Sequence, residues 1–336
     1  MQQIKREITC IVLETSTTCN ARCKFCPTSK LKPEIMSQTL FYKIIDDLKN
    51  MNFTGKILPY NRNEPLTDPF IFERLGYIRR KLPKAKIFFS TNGFLLNKHK
   101  INSLLELQPI EIRISLHAFS REKCQEIMGI DNTRIFENIE HLYKQVRERK
   151  IENPTEKFYL VMVSPSKKEE TLMKEYFQTS GYFKCFDLQI WPLVSRAGNV
   201  KYAQIGKKKI HHKKIIGCKQ GGEENCINSW FLIHTNGKVV LCCQDWFQEV
   251  VLGNMNSQTI NEVWNEKRYL NTLNKVFGRI ESEPNFICKR CDSAIPAPGI
   301  MDKFVNSYII RKSKAIIPAD IKRKIKHLIG LHQMTR

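Results

Sequence analysis

The chain has 336 residues, 42% of them hydrophobic, which is enough to bury a large core and excludes a globally disordered chain. Lys and Arg outnumber Asp and Glu by 55 to 33, a formal charge of +22, which suits an anionic partner or a lysine-rich solvated surface. No apolar run reaches the roughly eighteen residues of a transmembrane helix, and Met1–Glu7 lacks the apolar core of a signal peptide, so the expectation is a cytoplasmic protein. In that compartment its twelve cysteines speak for metal rather than disulfides.

Ile8-Thr9-Cys10-Ile11-Val12-Leu13 reads as a first, buried strand. It empties into Thr17-Thr18-Cys19-Asn20-Ala21-Arg22-Cys23-Lys24-Phe25-Cys26-Pro27, where Cys19, Cys23 and Cys26 follow the spacing C-x3-C-x2-C. Three thiolates hold three corners of a cubic iron–sulfur cluster, which needs a ligand for each iron. A structural zinc site closes with four ligands, and no further His or Cys lies nearby in sequence. The chemical content of the loop is therefore one iron left open.

Further on, Ser37 is the expected N-cap of a helix over Gln38–Asn50, with Leu40, Phe41, Ile44, Ile45 and Leu48 on one face. The pattern then predicts a strand at Gly55–Tyr60, a helix at Phe70–Lys81, a strand at Lys86–Ser90, a turn at Asn92-Gly93 and a helix at Lys98–Leu107. Ile110–Leu116 alternates as a fourth strand, Thr133–Lys150 is a long basic helix, and Phe158–Val163 is a fifth strand. A helix at Lys167–Thr179 and a sixth strand at Phe186–Trp191 complete the series. Strands alternating with helices imply an α/β fold with a parallel sheet. Six units are too few for a closed eightfold barrel, so the expectation is a splayed partial (β/α)6, TIM-like barrel whose sites gather where strands end.

On the cysteine loop, with Phe25 before its last cysteine, the chain resembles the radical S-adenosylmethionine (SAM) superfamily. The resemblance implies the partial barrel and a [4Fe-4S] cluster held by Cys19, Cys23 and Cys26. It also implies SAM bound on the open iron and cleaved to a 5′-deoxyadenosyl radical that abstracts a substrate hydrogen. Arg62-Asn63-Glu64-Pro65-Leu66 resembles the family's Gly-Gly-Glu element, with both glycines replaced, and makes Glu64 the expected contact to the SAM amino group. Ser90-Thr91-Asn92-Gly93 looks like a segment close to the SAM ribose and carboxylate, which puts Ser90 and Asn92 among the cofactor contacts; read alone it is a turn. Ser115 and His117 end strand four, where the family often places a polar SAM contact, and Trp191-Pro192-Leu193 ends strand six beside the expected adenine.

Ser195–Gly217 is polar and basic and reads as a linker containing His211-His212. Beyond it, Asn236-Gly237 between Trp230–Thr235 and Lys238–Cys243 is a hairpin signal that brings Cys226 and Cys242 together. An amphipathic helix is expected over Thr259–Phe277, followed by the metal-type pair Cys288-x2-Cys291. Cys226, Gly237 and Cys242 resemble the SPASM and twitch modules of radical SAM enzymes, which implies one auxiliary [4Fe-4S] cluster on Cys226, Cys242, Cys288 and Cys291. Cys243 stands as an alternative to Cys242, and Cys218 to Cys226. Four cysteines also suit zinc, but beside the first loop iron–sulfur is expected. Cys10, Cys124 and Cys185 have no partner spacing and read as buried apolar residues.

The domain reading is thus a barrel over 1–195, a linker over 196–217, an auxiliary-cluster module over 218–300 and a basic tail over 301–336. The tail carries an apolar stripe of Ile321, Ile325, Leu328 and Ile329 and is expected to dock on its own protein or to touch an anionic surface weakly. The functional expectation is a radical SAM enzyme that oxidises or modifies a small polar metabolite such as a sugar, cyclitol or nucleotide-linked compound. Because the chain starts at strand one, no peptide-recognition domain is expected before the barrel. A flavodoxin- or ferredoxin-like reductant is the implied protein partner. A SPASM-type peptide maturase is the second reading, and a non-catalytic iron–sulfur redox or nucleic-acid-binding protein the third. Glu64, Arg113 and His117 lie at or near strand ends, and nothing in the sequence ranks them as substrate-facing groups.

Overall fold

The structure, a computed structural model, describes residues 6–149, 157–163, 166–201, 210–220 and 226–298. Strand β1 (Cys10–Leu13) is buried at all four positions, as an apolar run covered on both faces must be. Strands β2 (Lys56–Leu58), β3 (Lys86–Thr91), β4 (Glu111–Ser115), β5 (Lys157–Val163) and β6 (Phe186–Trp191) follow, each parallel to the one before. Between them run helices α1 (Gln38–Asn50), α2 (Ile71–Lys81), α3 (Lys98–Glu106), α4 (Arg121–Met128), α5 (Thr133–Glu148) and α6 (Lys167–Thr179). This is the partial-barrel α/β architecture that the alternating pattern predicts.

α1 shows how sequence writes these helices. Ser37 Oγ accepts from Leu40 N at 3.2 Å and caps the first turn. Leu40, Phe41, Ile44, Ile45 and Leu48 then fall on one side and are all buried. At 1.5–3 kcal/mol per apolar side chain, that stripe contributes about 10 kcal/mol of burial, an upper bound set by the extended-chain reference.

α4 has no counterpart among the expected elements. It spans two turns, buries Cys124, Ile127 and Met128, and ends on Gly129 with φ of 68°. Ser120 before it and the left-handed glycine after it are start and stop signals that bracket an i, i+3, i+4 apolar set. The expected helix over Thr259–Phe277 is instead two: α8 (Ile260–Asn265), closed by a Thr259–Glu262 capping box, and α9 (Lys267–Val276). Glu266 between them is extended, with ψ of 141°, and the bend folds Tyr269 back onto Trp264 with ring centroids 4.9 Å apart.

The C-terminal hairpin joins the main sheet. Strand β7 (Ile215–Cys218) and the short helix α7 (Cys226–Ser229) lead into the hairpin of β8 (Trp230–Ile233) and β9 (Lys238–Val240), and β10 (Val251–Asn254) adds a third strand. β8 pairs in parallel with β1, so the sheet runs β10-β9-β8-β1-β2-β3-β4-β5-β6. The hairpin turn depends on Gly237, at φ of 81°, where a Cβ would stand 2.5 Å from Asn256 Nδ2. β11 (Ala294–Pro296) pairs with β7, and the two form a small two-stranded sheet of their own.

Strand alternation separates two faces. Ile87 and Phe89, Ile112 and Ile114, and Phe158, Leu160 and Met162 pack outward in the main core. Cys10, Val12, Leu58, Leu232 and Val240 form a small inner floor, with Tyr60 and Phe88 against it. Met1–Ile295 is one compact unit and Pro296–Arg336 another; the tail expected over 301–336 lies outside the described residues. Among the described residues no helix is long and apolar enough to cross a membrane.

Candidate active site

The cysteine loop leaves β1 at the C-terminal edge of the sheet and is fixed from two sides. Arg22 N donates to Met128 O at 2.7 Å and Lys24 N to Ile127 O at 2.9 Å, so the end of α4 is the loop's backbone anchor. On the other side Glu64 N donates to Thr18 O at 2.9 Å. Inside the loop Cys26 N donates to Cys23 O at 2.9 Å, and Ala21 N approaches Cys19 Sγ at 3.4 Å. Burial pushes the Cys19 thiol up to about 12 and the Cys23 thiol well above its ordinary value, each reinforced by the neighbouring thiols. Buried thiols without a metal therefore keep their protons, and a bound cation would have to draw them off.

Among the described residues no three His, Cys, Asp or Glu side chains are closed onto a common point. The donor set nevertheless fits a cubic cluster with one open corner: three thiols on one loop within electrostatic reach of each other, with backbone and amide N–H groups turned toward sulfur. Cys124 also lies within reach of Cys23, but it is fully buried on α4 and its Sγ faces Met128 Sδ at 3.7 Å.

Glu64 is the centre of the adjoining network. It is 2% exposed, and its Oε1 accepts from Thr91 Oγ1 at 2.7 Å and Leu66 N at 3.1 Å, while Oε2 accepts from Asn92 N at 2.6 Å. Burial raises its pKa to about 7 against those donors. Asn92 continues the network: its Nδ2 donates to Asn20 Oδ1 at 2.9 Å and stands 3.9 Å from Cys19 Sγ, while its Oδ1 accepts from Phe94 N at 3.0 Å. Glu64 and Asn92 thus meet beside the cysteine loop. Thr91, one residue past Ser90 in the same expected cofactor segment, supplies the hydroxyl to Glu64.

Ser90 and Ser115 take a different place. Both point to the inner face of the sheet, half-buried, in line with Phe88 on β3 and Arg113 on β4. His117 is 7% exposed, and burial lowers its pKa to about 4, so it is neutral at pH 7. Its Nδ1 accepts from Val163 N at 3.0 Å, and its ring meets Phe25 edge-on at 4.9 Å. His117 therefore holds the aromatic side chain of the cysteine loop. Trp191, at the end of β6, is 41% exposed.

A second network, unseen in the sequence, joins this edge to the C-terminal hairpin. Arg62 is 4% exposed and Glu14 fully buried; Arg62 Nε and Nη2 each reach the Glu14 carboxylate at 2.6 Å. Arg62 also donates to Trp246 O, and its own carbonyl accepts from Thr28 Oγ1 at 2.7 Å. Glu14 Oε1 further accepts from Thr235 N at 3.3 Å. These partners come from segments up to 221 residues apart, which no local pattern reveals.

The second cysteine set is gathered in the core. Cys226, Cys242, Cys288 and Cys291 are 2%, 8%, 8% and 6% exposed and belong to one packed cluster. Cys243 packs on the inner floor and Cys242 in the main core, at the turn that follows β9. Cys218 is half-buried against the main core. Burial raises the Cys291 thiol to about 12 and holds Cys242 and Cys288 well above their ordinary value. Both Cys218 and Cys243 remain within electrostatic reach of Cys226 and Cys291, so the alternative ligands stand close by. The stretch expected as a linker returns to this site: His212 N donates to Lys289 O at 2.6 Å, and His212 Nε2 lies 3.2 Å from Cys291 O.

Comparison with known proteins gives the family. The Radical SAM superfamily model matches residues 13–175, and an iron–sulfur cluster-binding domain model, SPASM, matches residues 225–292. The S-adenosyl-L-methionine-dependent 2-deoxy-scyllo-inosamine dehydrogenase of Niallia circulans is 20% identical over 286 residues, spanning 84% of this chain and 92% of its own. The crystal structure of BtrN in complex with AdoMet and 2-DOIA superposes with a TM-score of 0.58 at 17% identity, covering 86% of this chain and 94% of that one. Streptococcus suis SuiB bound to precursor peptide SuiA gives a TM-score of 0.61 at 14% identity, covering 85% and 70%. The chain belongs to the radical SAM superfamily: it is a radical SAM enzyme with a C-terminal SPASM domain, and its cofactors are a [4Fe-4S] cluster, SAM and an auxiliary iron–sulfur cluster.

Proposed function

We propose that the enzyme removes a hydrogen atom from a small polar metabolite, a sugar, cyclitol or nucleotide-linked alcohol, and oxidises it. The observation that carries this reading is the inner wall of the barrel, where Ser90, Arg113, Ser115 and Gln189 leave polar side chains half-open on a face that is apolar at its floor. A compact hydroxylated molecule satisfies such a wall with hydrogen bonds. The likeness to a dehydrogenase along nearly its whole length supports the same substrate class.

The proposed cluster ligands are Cys19, Cys23 and Cys26 at the strand edge, and Cys226, Cys242, Cys288 and Cys291 in the core. When bound, the cluster at Cys19, Cys23 and Cys26 would supply the electron for reductive cleavage of SAM, and the auxiliary cluster would take up the electron that the substrate radical loses, with its proton, on becoming the oxidised product. Glu64 Oε2 has one described donor, Asn92 N, and keeps a lone pair for the SAM amino group. Asn92 holds Glu64 through its backbone and the cysteine loop through its side chain. Ser90 and Ser115 offer hydroxyls to the cofactor or substrate from the inner wall. The electron reaches the protein from a flavodoxin- or ferredoxin-like donor.

The likeness to SuiB bound to its precursor peptide favours peptide maturation as the second reading. Isotope transfer separates the two. Reduced enzyme is incubated with SAM and either a deuterated low-molecular-weight metabolite pool or a deuterated peptide pool. Deuterium in 5′-deoxyadenosine only with metabolites is the expected result; deuterium only with peptides overturns the proposal.

A further inference from the structure

Strand register makes rungs on the inner wall. Ser90 pairs with Arg113, Arg113 with Tyr159, and Tyr159 with Asp187, so these four side chains stand at one height. Two residues higher are Ser115, Val161 and Gln189, and four higher Val163 and Trp191, at the edge that carries the cysteine loop. Each two-residue rung is about 6.6 Å.

Arg113 does not behave as a residue packed into a wall. Its Nε pairs with Glu111, whose side chain is 9% exposed, whereas the Arg113 side chain is 26% exposed. Its guanidinium carbon lies 5.8 Å from the Tyr159 ring centroid and 5.2 Å from that of Trp191. Trp191 stands two rungs above Arg113, so the charged head and the indole lean toward each other along the wall, below the cysteine-loop edge. Among the described residues nothing hydrogen-bonds Nη1 or Nη2. The head thus has a carboxylate at Nε and two aromatic rings within 6 Å of its central carbon, and its two-nitrogen edge is free. That edge matches a carboxylate or phosphate in bidentate fashion.

We infer that Arg113 is a specificity-determining residue that anchors an anionic group, carboxylate or phosphate, on the substrate. The inference rests on the metabolite reading above and narrows it. Glu111 does not cancel the role: its ion pair is with Nε and leaves Nη1 and Nη2 to a ligand. Trp191 adds a cation–π contact beside the bond. The substrate carbon that loses hydrogen then lies above the anchored group, toward the cysteine loop.

The test is calorimetric titration of reconstituted, SAM-loaded enzyme with inorganic phosphate and, separately, acetate, at an ionic strength fixed with chloride. Wild-type protein is expected to show one saturable site for at least one of the two anions. Arg113→Gln should weaken that site at least about tenfold, and Arg113→Lys, which keeps the charge but loses the planar edge, by less. Binding of phosphate alone assigns a phosphorylated substrate; binding of acetate as well assigns a carboxylate. If the iron content of Arg113→Gln shows incomplete folding, the Lys variant and Trp191→Phe, which removes the indole N–H and reduces the stacking area, carry the comparison and should both weaken the site. Absence of a saturable site in wild-type enzyme, or equal affinity in the Arg113 variants, overturns the inference. Release of 5′-deoxyadenosine by the same wild-type preparation is measured alongside, so failure of the anchor is distinguished from failure of the radical chemistry.

Discussion

Glu64 yields the sharpest prediction, because its carboxyl is both buried and surrounded by donors. Burial raises its pKa to about 7 from an ordinary 4.5. A carboxyl that keeps its proton has one acceptor fewer for the SAM amino group. With a pKa of about 7, roughly one Glu64 in eleven is ionised at pH 6 and ten in eleven at pH 8, so SAM affinity should rise about tenfold over that interval, about 1.4 kcal/mol, and level off above it. The sign for the free protein is opposite. A raised carboxyl pKa favours the fold below the unfolded value of 4.5, and that contribution is lost as pH rises through about 7. Glu64→Gln removes this titration and places an amide N–H₂ among N–H and O–H donors. It should weaken SAM binding at pH 8 by about 2 kcal/mol, roughly thirtyfold. The assay is equilibrium binding of SAM to anaerobically reconstituted protein from pH 6 to pH 8. The amino group of SAM also titrates near pH 8, so the Glu64 contribution is the difference in slope between wild type and Glu64→Gln. Equal slopes and equal affinity in the two proteins would refute the reasoning.

Three more outcomes are expected. Cys23→Ala should lower bound iron from about eight to about four atoms per chain and abolish SAM cleavage while the auxiliary cluster's absorption remains, as measured by iron assay and visible spectroscopy. Glu14→Gln leaves the buried Arg62 guanidinium without its counter-charge and should cost about 3–5 kcal/mol in denaturant unfolding of the reconstituted protein; a cost under 1 kcal/mol would show that water reaches the pair. Gly237→Ala forces a side chain into a left-handed turn and onto Asn256. It should lower the midpoint of unfolding and loosen the auxiliary cluster, read as faster iron loss to a chelator at unchanged N-terminal cluster content.

The local parts of this fold are written in the sequence. α1 and α6 begin and end where capping serines and apolar stripes place them. The cysteine loop, Glu64 and Asn92 are adjacent to strand ends, so their convergence follows once the strands are parallel. What stays hidden is long-range or weakly patterned. α4 is two turns long and its apolar set is brief, yet it anchors the cysteine loop through Ile127 and Met128. The parallel pairing of β8 with β1 joins residues more than two hundred positions apart, and a hairpin signal cannot report on the strand beside it. The Glu14–Arg62 pair depends on that joining. Likewise Arg113 stands in the sequence among other strand-end residues; only the register and the two aromatic rings around it set it apart.

The central claim is that the three-thiol loop beside Glu64 leaves one iron open for SAM. Electron paramagnetic resonance of the dithionite-reduced, reconstituted enzyme tests it directly when spectra are taken with and without SAM and 5′-deoxyadenosine is quantified in the same tubes. The account predicts a reduced four-iron signal that shifts when SAM is added, together with release of 5′-deoxyadenosine, and both effects vanish in Cys23→Ala. A four-iron signal indifferent to SAM, or protein that takes up only zinc and leaves SAM intact, would contradict it.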